Sequence, residues 1–432
     1  MTGPSPLRND AWRRGACPSL AAPMQTGDGL LARLTPRNGE ISMAQLAALA
    51  ESAARHGNGL IEITMRGALQ LRGLTAAGAR ALAADVAAMG IIPRQGLAVD
   101  INALAGIDPL EHRDPRPLAR AVASGADASR LGPKVSVTVD SGGQFGLAML
   151  KADIRLMAVD ASHWVMMLNL AGGARRAFQG YESAIAGAAL DLLAALAALG
   201  PDARMRDVTA RTADRICAGL APVAPVAAQS AVAPIGVFPT VHGPAIGLTP
   251  PFGATDSTTL ARLAAAFPKA RLRLAPERGL LLTGLDEAAL ARLPEVADEL
   301  GLIRQANDPR LRVSVCAGAP LCAAAAIATR PLAAELARDH AATLAAAVGP
   351  DQQLHVSGCG KRCGAPSRNV TRLDLPAGVV AAISAGHPDT ARTPAPASGP
   401  LSQLSRTLHI LVARHTRGDA SDPTPDALKK RP

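Results

Sequence analysis

Four cysteines in the last third of the chain have the residue type and the spacing for redox chemistry. Cys316 and Cys322 form a C-x5-C pair, and Cys359 and Cys363 form a C-x3-C pair after 36 intervening residues. A [4Fe-4S] cube takes one thiolate per iron, so two pairs of cysteines meet its requirement. Glycines flank both pairs, and small residues let backbone amides donate hydrogen bonds to the sulfur atoms. The sequence therefore predicts one [4Fe-4S] cluster.

Zinc and inert thiols are the two competing interpretations of these cysteines. Structural zinc sites favour loops of two to four residues between paired ligands, whereas one loop here has five. Buried free cysteine is common, but four of the six cysteines lie within 48 residues in Gly-rich surroundings. Cys217 lies in a helical pattern and is expected in the core. Cys17 lies in a loop, and its spacing indicates no role.

An internal repeat organises the rest of the chain. Leu34-Thr-Pro36 matches Leu248-Thr-Pro250, and Arg72-Gly-Leu74 matches Thr283-Gly-Leu285, so the two copies differ in length by about three residues. Each copy predicts a strand, a turn, an amphipathic helix, a second strand and a further Ala-rich helix. Units of this kind predict an open α+β sandwich.

A second pair of similar segments follows the two copies. The segment from Lys134 to Val139 is similar to the segment from Arg312 to Ala317, which sets Thr138 opposite Cys316. Only the second half of the chain therefore carries the predicted metal ligands. Between the halves, residues 221–234 have the Ala, Pro and Val composition of a linker. The tail beyond residue 390 is rich in Pro, Ser and Thr and is expected to be largely flexible, with one short possible helix near 401–415.

Composition and charge limit the class of protein. Hydrophobic residues make up 48% of the chain, which excludes a disordered protein, and the net charge of +10 favours an anionic partner. With 2% aromatic residues and no basic run in its body, the chain does not resemble a nucleic-acid-binding protein. The most apolar stretch, from Ser183 to Gly200, carries Asp191 and predicts a buried helix rather than a membrane span. Without an apolar segment of signal-peptide length near the start, the expected location is cytoplasmic, with no membrane partner.

The cysteine segments resemble those of the sirohaem nitrite and sulfite reductase superfamily. The resemblance rests on Cys316-Ala-Gly-Ala-Pro-Leu-Cys322 and His355-Val-Ser-Gly-Cys-Gly-Lys-Arg-Cys363, and it extends over nearly the whole chain. In that superfamily the four cysteines bind a [4Fe-4S] cluster. Thr64-Met-Arg-Gly-Ala-Leu-Gln70 resembles the T-x-R-x-x-x-Q strand that contacts tetrapyrrole carboxylates, and Leu31-Ala-Arg-Leu34 resembles a strand that bears an active-site arginine.

The resemblance implies an α+β fold with a duplicated nitrite/sulfite reductase-like architecture. It comprises two ferredoxin-like half-domains and two cluster-type α/β domains, of which only the second carries the cysteine ligands. The expected boundaries are 13–95 and 235–302 for the half-domains, 100–220 for the cluster-type domain without cysteines, 221–234 for the linker, 305–390 for the [4Fe-4S] domain and 391–432 for the tail.

Within the superfamily the closest likeness is to the precorrin-3B synthase family of aerobic cobalamin biosynthesis. The segment from Arg14 to Gly29, Pro251-Phe-Gly253 and Lys361 carry this likeness. It implies an oxygen-dependent oxidoreductase of the monooxygenase type that hydroxylates precorrin-3A at C20 and closes a lactone. The implied partners are precorrin-3A, O2 and either NADH or an electron donor protein. The implied cofactors are the [4Fe-4S] cluster and, by association with the family, a mononuclear non-haem iron.

One departure separates this family from the reductases. Reductases have a segment like L-P-R-K-F-K with two lysines that hold a small anion, whereas this chain has Ser136 two residues after Lys134. A bound oxyanion needs concentrated positive charge, so the loss of one ammonium group weakens the alternative of a sirohaem-dependent nitrite or sulfite reductase. A non-catalytic tetrapyrrole carrier with a structural cluster is a third possibility.

Basic and amide side chains are the candidates for binding the carboxylates of the tetrapyrrole. Those within the matched motifs are Arg33, Arg66, Gln70, Lys134 and Lys361. Arg72 and Arg362 are weaker candidates, because a solvated surface charge is the usual fate of an arginine. The catalytic residues stay unknown, and no spacing selects histidine ligands for a second iron. His355 fits a buried structural role at least as well as a ligand role.

Overall fold

A computed structural model describes residues 18–37, 39–226, 232–349, 352–363, 370–384 and 400–416 of the 432-residue chain. The chain divides into two compact units. The larger contains the described residues up to 25 together with 30–306, and the smaller contains 26–29 and the described residues from 307 onward. The residues around Cys17 lie outside the described part.

The first segment of the chain alternates short strands with two helices. Its elements are β1 (Met24–Thr26), β2 (Gly29–Leu34), β3 (Glu40–Ser42), α1 (Met43–His56), β4 (Leu60–Ile63), β5 (Leu69–Leu74) and α2 (Ala76–Ala88). Helix α1 begins at Met43 because Ser42 and Gln45 form a capping box, in which each side chain accepts a hydrogen bond from the other residue's backbone amide. Thr75 caps α2 by accepting from the Gly78 amide at 2.9 Å.

The second segment folds into a six-stranded sheet. Its elements are β6 (Ala98–Ile101), α3 (Arg116–Gly125), β7 (Ser136–Asp140), β8 (Ile154–Ala158), β9 (His163–Asn169), β10 (Arg175–Tyr181), α4 (Glu182–Leu199), α5 (Ala210–Ile216) and β11 (Ala221–Val223). The order is β11-β10-β9-β8-β7-β6; β6, β7 and β8 run parallel, and the other pairs are antiparallel. Strand β11 uses the first three residues of the segment predicted as a linker.

Helix α4 is the apolar stretch that the sequence predicts as a buried helix. Among the helices in the described residues, it alone is long and apolar enough to pass for a membrane span by length and composition. Its side chains at Ile185, Leu192 and Leu196 are buried in the core that the strands of the six-stranded sheet also line. The helix packs against β9 and β10. We therefore describe it as a core helix of the larger unit.

The third segment has the same order of elements as the first. They are β12 (Gly236–Phe238), β13 (Ala245–Leu248), β14 (Ala254–Asp256), α6 (Ser257–Ala266), β15 (Arg271–Ala275), β16 (Gly279–Thr283) and α7 (Glu287–Glu299). Asp256 and Asp286 cap the two helices at the positions that correspond to Ser42 and Thr75 in the first segment.

The first and third segments exchange one short strand each. One five-stranded sheet has the order β1-β2-β5-β4-β14, and the other has the order β12-β13-β16-β15-β3. Asp256 of β14 lies opposite Leu60, and Ser42 of β3 lies opposite Arg271. Helices α1 and α6 pack against each other in a core shared with one face of both sheets. Each sheet is therefore completed by the segment that builds the other.

The described residues of the smaller unit form a four-stranded sheet and three α-helices. Its elements are β17 (Val313–Val315), α8 (Thr329–Asp339), α9 (Ala341–Ala347), β18 (Gln353–Ser357), β19 (Val370–Asp374), β20 (Val380–Ser384) and α10 (Pro400–Arg414). The order is β17-β18-β20-β19, in which only β17 and β18 are parallel to each other.

Helix α10 lies within the tail that the sequence predicts to be largely flexible, and it matches the short helix predicted there. Its buried side chains Leu404, Leu408 and Leu411 face the unit, and the helix packs against α8 and α9. Arg414 Nη1 and His415 Nε2 lie 2.7 and 2.9 Å from the carboxylate of Glu335. The remainder of the predicted tail lies outside the described residues.

Candidate functional site

The four predicted cysteine ligands follow two parallel strands of the smaller unit. Cys316 comes directly after β17, and Cys359 comes two residues after β18. Parallel strands carry their carboxyl ends to the same edge of a sheet, so the two loops begin side by side. Cys322 and Cys363 lie further along these loops. The fold thus brings the two cysteine pairs to one edge of the sheet.

The thiols interact with one another. Burial raises the pKa of the Cys363 thiol, and the negative charges of Cys359, Cys316 and Cys322 raise it further. Such repulsion weakens with distance, so these thiols lie near one another at this edge of the sheet. The side chain of Cys363 is exposed and the other three are half-buried.

Backbone hydrogen bonds hold the two cysteine loops together. The Gly358 amide donates to Cys316 Sγ at 3.2 Å, and the Ala326 amide donates to the Gly358 carbonyl at 2.7 Å. A Cβ atom at residue 358 would lie 2.8 Å from the Cβ of Ala325. Only glycine fits at that position, which explains one of the small residues noted in the sequence.

A histidine supports the backbone of the last cysteine. His355 is 2% exposed, and its Nδ1 lies 2.9 Å from Ser314 Oγ. Its Nε2 lies 3.1 Å from the carbonyl oxygen of Cys363. Both ring nitrogens therefore have partners, which agrees with the structural role considered for this residue.

The predicted tetrapyrrole contacts Arg33 and Gln70 lie side by side on the first five-stranded sheet. Arg33 Nε and Nη2 donate to Gln70 Oε1 at 3.2 and 2.6 Å. Gln70 Nε2 donates to Glu62 Oε2 at 3.0 Å, and the same oxygen accepts from Arg72 Nη1 at 3.1 Å. These side chains form a continuous polar row across β2, β5 and β4 on the face opposite the helical core. We call it the polar row: Arg33, Gln70, Glu62 and Arg72.

Arg66 lies in a turn, not in a strand. The sequence places the T-x-R-x-x-x-Q motif on one strand, but Thr64 and Ala68 close a hairpin turn, in which the Thr64 amide donates to the Ala68 carbonyl at 2.9 Å. Only the last two residues of the motif belong to β5. Gly67 adopts a left-handed backbone with φ of 69°, which a turn of this tightness requires.

The Arg66 guanidinium is paired within the larger unit. Its Nη1 donates to Asp100 Oδ2, and its Nη2 donates to the carbonyl of Lys151. Asp100 is 6% exposed and also accepts from Arg94 Nη1 at 2.7 Å. The turn therefore presents an arginine whose direction is fixed by a buried carboxylate.

Comparisons with known proteins give the family of the chain. Residues 22–89 match the family model described as the nitrite/sulfite reductase ferredoxin-like half domain. A curated relative from Sinorhizobium sp, named precorrin-3B synthase, is 37% identical over 392 residues, which are 86% of this chain and 84% of the relative. The chain belongs to the precorrin-3B synthase family. The resemblance inferred from the cysteine segments and the N-terminal motif is thus confirmed.

The fold has a solved counterpart. The structure of the Mycobacterium tuberculosis NirA protein superposes with a TM-score of 0.64 at 16% identity, and the match covers 93% of this chain and 84% of that one. This likeness concerns the fold. It confirms a mixed α+β architecture of several sheets with a ferredoxin-like half domain for this member of the precorrin-3B synthase family.

The segment that corresponds to the two reductase lysines has one exposed position, Lys134, and one buried position, Ser136. Lys134 is exposed in a turn before β7, whereas Ser136 is 3% exposed inside β7. Ser136 Oγ donates to the Lys151 carbonyl at 3.3 Å, which is also the acceptor of Arg66. The serine that replaces the second reductase lysine is therefore next to Arg66. In the smaller unit, Lys361 is exposed in the loop between the last two cysteines.

Two carboxylates of the larger unit that contact the predicted site residues were not predicted from the sequence. Glu62 and Asp100 hold Gln70 and Arg66, respectively, and both are buried in strands. The available signal was a lone acidic residue between apolar neighbours, as in Ile61-Glu62-Ile63 and Val99-Asp100-Ile101. Because a buried carboxylate needs a partner, each of these patterns predicts a cation nearby without identifying it.

Proposed function

We propose that this chain catalyses the precorrin-3B synthase reaction, the oxygen-dependent hydroxylation of precorrin-3A at C20 with closure of a lactone. The observation that carries the proposal is the 37% identity to the Sinorhizobium relative over 86% of the chain. In a reaction of the monooxygenase type, one atom of O2 enters the product and the other leaves as water. Two electrons are needed, and NADH, directly or through a donor protein, is their proposed source.

Cys316, Cys322, Cys359 and Cys363 would hold a [4Fe-4S] cluster. Four neighbouring thiols match its donor set, and the Gly358 amide already points at one of the sulfur atoms. The bound cluster would supply single electrons. The chain's own contribution is to hold the thiolates in two loops fixed by glycine, Thr329 and His355, with Thr329 Oγ1 donating to the Cys316 carbonyl at 2.8 Å.

The spacing of the cysteines favours a cluster over a zinc ion, because one loop has five residues between its ligands. Within the residues that the structure describes, no group of three or more His, Cys, Asp or Glu side chains is close enough to hold one ion. The thiolates of a cube bind different irons and stand further apart than the ligands of a tetrahedral zinc. For the mononuclear iron associated with the family, the described residues offer no such ligand group, and we assign it no step.

Arg33, Arg66, Gln70, Lys134 and Lys361 are the proposed substrate contacts. Precorrin-3A carries acetate and propionate carboxylates around its rim, and guanidinium groups bind carboxylates with two parallel hydrogen bonds. Arg33 and Gln70 contribute from the polar row, and Arg66 contributes from the adjoining hairpin turn. Fixed side chains of this kind would hold the macrocycle in one orientation, so that one meso carbon is presented for oxygenation.

A sirohaem-dependent nitrite or sulfite reductase is the second candidate, and the superposition with NirA is the observation in its favour. The buried Ser136 opposes it, because a reductase would use a second lysine at that position to hold its anion. We also propose that the two five-stranded units are ferredoxin-like halves produced by duplication, with the domain boundaries predicted from the sequence, and that the enzyme acts in the cytoplasm.

Two measurements on the purified protein test the proposal. Iron and sulfide analysis with a visible spectrum should give four sulfides and at least four irons per chain, and a broad absorbance without the Soret band of sirohaem. Incubation with precorrin-3A, O2 and reductant should then give a product heavier by one oxygen atom. A stoichiometric sirohaem band would favour the reductase, and substrate binding without an oxygenated product would favour a tetrapyrrole carrier.

A further inference from the structure

Glu62 lies at the β4 end of the polar row, outside the motifs on which the resemblance rests. It lies on β4, is 7% exposed, and faces Gln70 across the strand pair. Its Oε2 accepts from Gln70 Nε2 at 3.0 Å and from Arg72 Nη1 at 3.1 Å. Arg72 is 4% exposed and compensates the charge of this buried carboxylate.

The carboxylate determines which way the Gln70 amide points. A carboxylate only accepts hydrogen bonds, so the NH2 end of Gln70 must face Glu62. The oxygen end then faces Arg33, whose guanidinium donates to it through Nε and Nη2 at 3.2 and 2.6 Å. If the amide were reversed, its NH2 group would meet the donors of Arg33. The acceptor that Gln70 offers to the Arg33 guanidinium is therefore directed by a carboxylate two strands away.

We propose that Glu62 is a positioning residue for precorrin-3A binding, which acts by fixing the Gln70 amide and through it the guanidinium of Arg33. The inference rests on the proposed function, because Arg33 and Gln70 are taken as substrate contacts. Glu62 itself would not touch the substrate. Removal of its acceptor should weaken binding because Arg33 would lose its fixed direction before the carboxylate arrives.

The test compares two double variants of the full-length, cluster-loaded protein. Glu62→Met with Arg72→Met removes the buried ion pair together with the acceptor, and Glu62→Gln with Arg72→Met removes the charges but keeps an acceptor for Gln70. Precorrin-3A is titrated anaerobically, so that binding is measured without turnover. We expect the Kd to rise about tenfold in the Met/Met variant and to be largely restored in the Gln/Met variant. A Met/Met variant with the wild-type Kd would overturn the proposal.

Coupling to Arg33 separates positioning from a general structural effect. In an Arg33→Ala background, the Met/Met pair should change the Kd by clearly less than tenfold, because only its effect on the Gln70 amide remains. A tenfold effect that persists without Arg33 would overturn the proposal. If the Met/Met variant fails to fold, Gln70→Leu cuts the same connection and should give the same non-additivity with Arg33→Ala; additive effects would overturn the proposal in that form too.

A matched control comes from the other five-stranded sheet. Arg273 occupies the register position of Glu62 there, and its Nε lies 2.8 Å from Glu40 Oε2. Glu40→Gln with Arg273→Met should leave the Kd for precorrin-3A unchanged, and an equal loss of affinity would show that any ion pair in these sheets matters. Failure of the proposed function is distinct, because the wild-type protein itself would then neither bind nor oxygenate precorrin-3A.

Discussion

The two five-stranded sheets of the larger unit have the same order of elements, but the side chains on their outer faces differ in polarity. Across β2, β5 and β4 the first sheet aligns Arg33, Gln70 and Glu62. At the same register positions, β13, β16 and β15 of the other sheet align Gly247, Leu281 and Arg273. The first sheet thus has polar side chains at all three positions, whereas the other sheet has a glycine and a leucine at the first two.

The outer face of the second sheet is closed by the chain itself. Leu281 is fully buried in a small apolar cluster with Phe145 and Phe238. Gly247 has no room for a side chain, since a Cβ there would lie 2.4 Å from the Pro234 carbonyl oxygen. Arg273 turns to Glu40 and to two backbone carbonyls. Two segments with the same order of elements can therefore share a helical core while one sheet has its outer face closed and the other presents polar groups.

The largest expected effect concerns the cysteines, which are confined to one half of the chain. Cys363→Ser should abolish the electron paramagnetic resonance signal of the reduced cluster and lower its iron content, because serine offers a poor ligand for iron compared with a thiolate. The position that matches Cys316 in the first half is Thr138, which is buried within β7. An unchanged signal would show that Cys363 is not a ligand.

Cys217 provides the control for that variant. It is 1% exposed in the core of the larger unit, and burial raises the pKa of its thiol to about 12. Such a thiol stays protonated and cannot act as a ligand at neutral pH. Cys217→Ala should therefore retain the full iron and sulfide content per chain.

Exchanging the residue types at the central positions, Gln70 and Leu281, tests whether the two outer faces differ in their contribution to stability. Leu281→Gln should lower the free energy of unfolding by about 4 kcal/mol, because it removes a buried leucine and buries an amide among apolar neighbours. Gln70→Leu should cost only about 1 kcal/mol, since Gln70 and Arg33 are half-buried and the buried Glu62 keeps its hydrogen bond from Arg72. Urea unfolding followed by circular dichroism measures both, and equal losses would show that the two faces are alike.

Asp100 is the buried carboxylate that pairs with Arg66 in the hairpin turn of the first sheet. Asp100→Asn should lower the free energy of unfolding by about 2–3 kcal/mol, because two guanidinium groups lose one buried partner while staying partly in contact with solvent. Thermal or urea unfolding gives the value. Asp298→Asn, which breaks an exposed pair with Arg304, is the control and should change little. A loss no larger than that of the control would mean that Asp100 does not hold Arg66.

The sequence was sufficient for features that depend on local pattern. The repeat around Leu34 and Leu248 predicted both helices of each copy and the strand before the first helix, although it gave one strand where the structure has two between the helices. The two cysteine pairs led to the family later confirmed by the comparison. The exchange of β3 and β14 was not predicted. Each has three residues, which is too short for an alternating pattern, and their partners are selected by packing between α1 and α6.

Pairing across strands also explains the residues that the sequence did not reveal. Glu62 becomes a partner of Gln70 only when β4 and β5 are in register, and Asp100 reaches Arg66 only through the packing of two different sheets. The assignment of Thr64–Gln70 to one strand failed for a related reason. Gly67 turns the chain back at the middle of the motif, and a motif of matching letters does not record the backbone angle.

The smallest expected effect lies in the hairpin of the second sheet. Glu277 occupies the place that Arg66 has in the first, and its amide donates to the Met65 carbonyl at 3.0 Å, so the two turns are in contact. Burial raises the pKa of the Glu277 carboxyl to about 6. At a pH below the ordinary pKa of 4.5, the carboxyl is protonated in both the folded and the unfolded chain, so it does not lower the stability of the fold.

Stability should therefore fall as the pH rises through this range. Between about pH 4.5 and 6 the unfolded chain releases the proton before the folded chain does. The free energy of unfolding should therefore fall by about 1–2 kcal/mol across this range, allowing for partial contact of the carboxyl with solvent. Glu277→Gln removes this penalty and should stabilise the protein at pH 8 but hardly at pH 4.5. Urea unfolding at the two pH values measures the difference, and a gain independent of pH would assign the effect to the left-handed backbone at Glu277 instead.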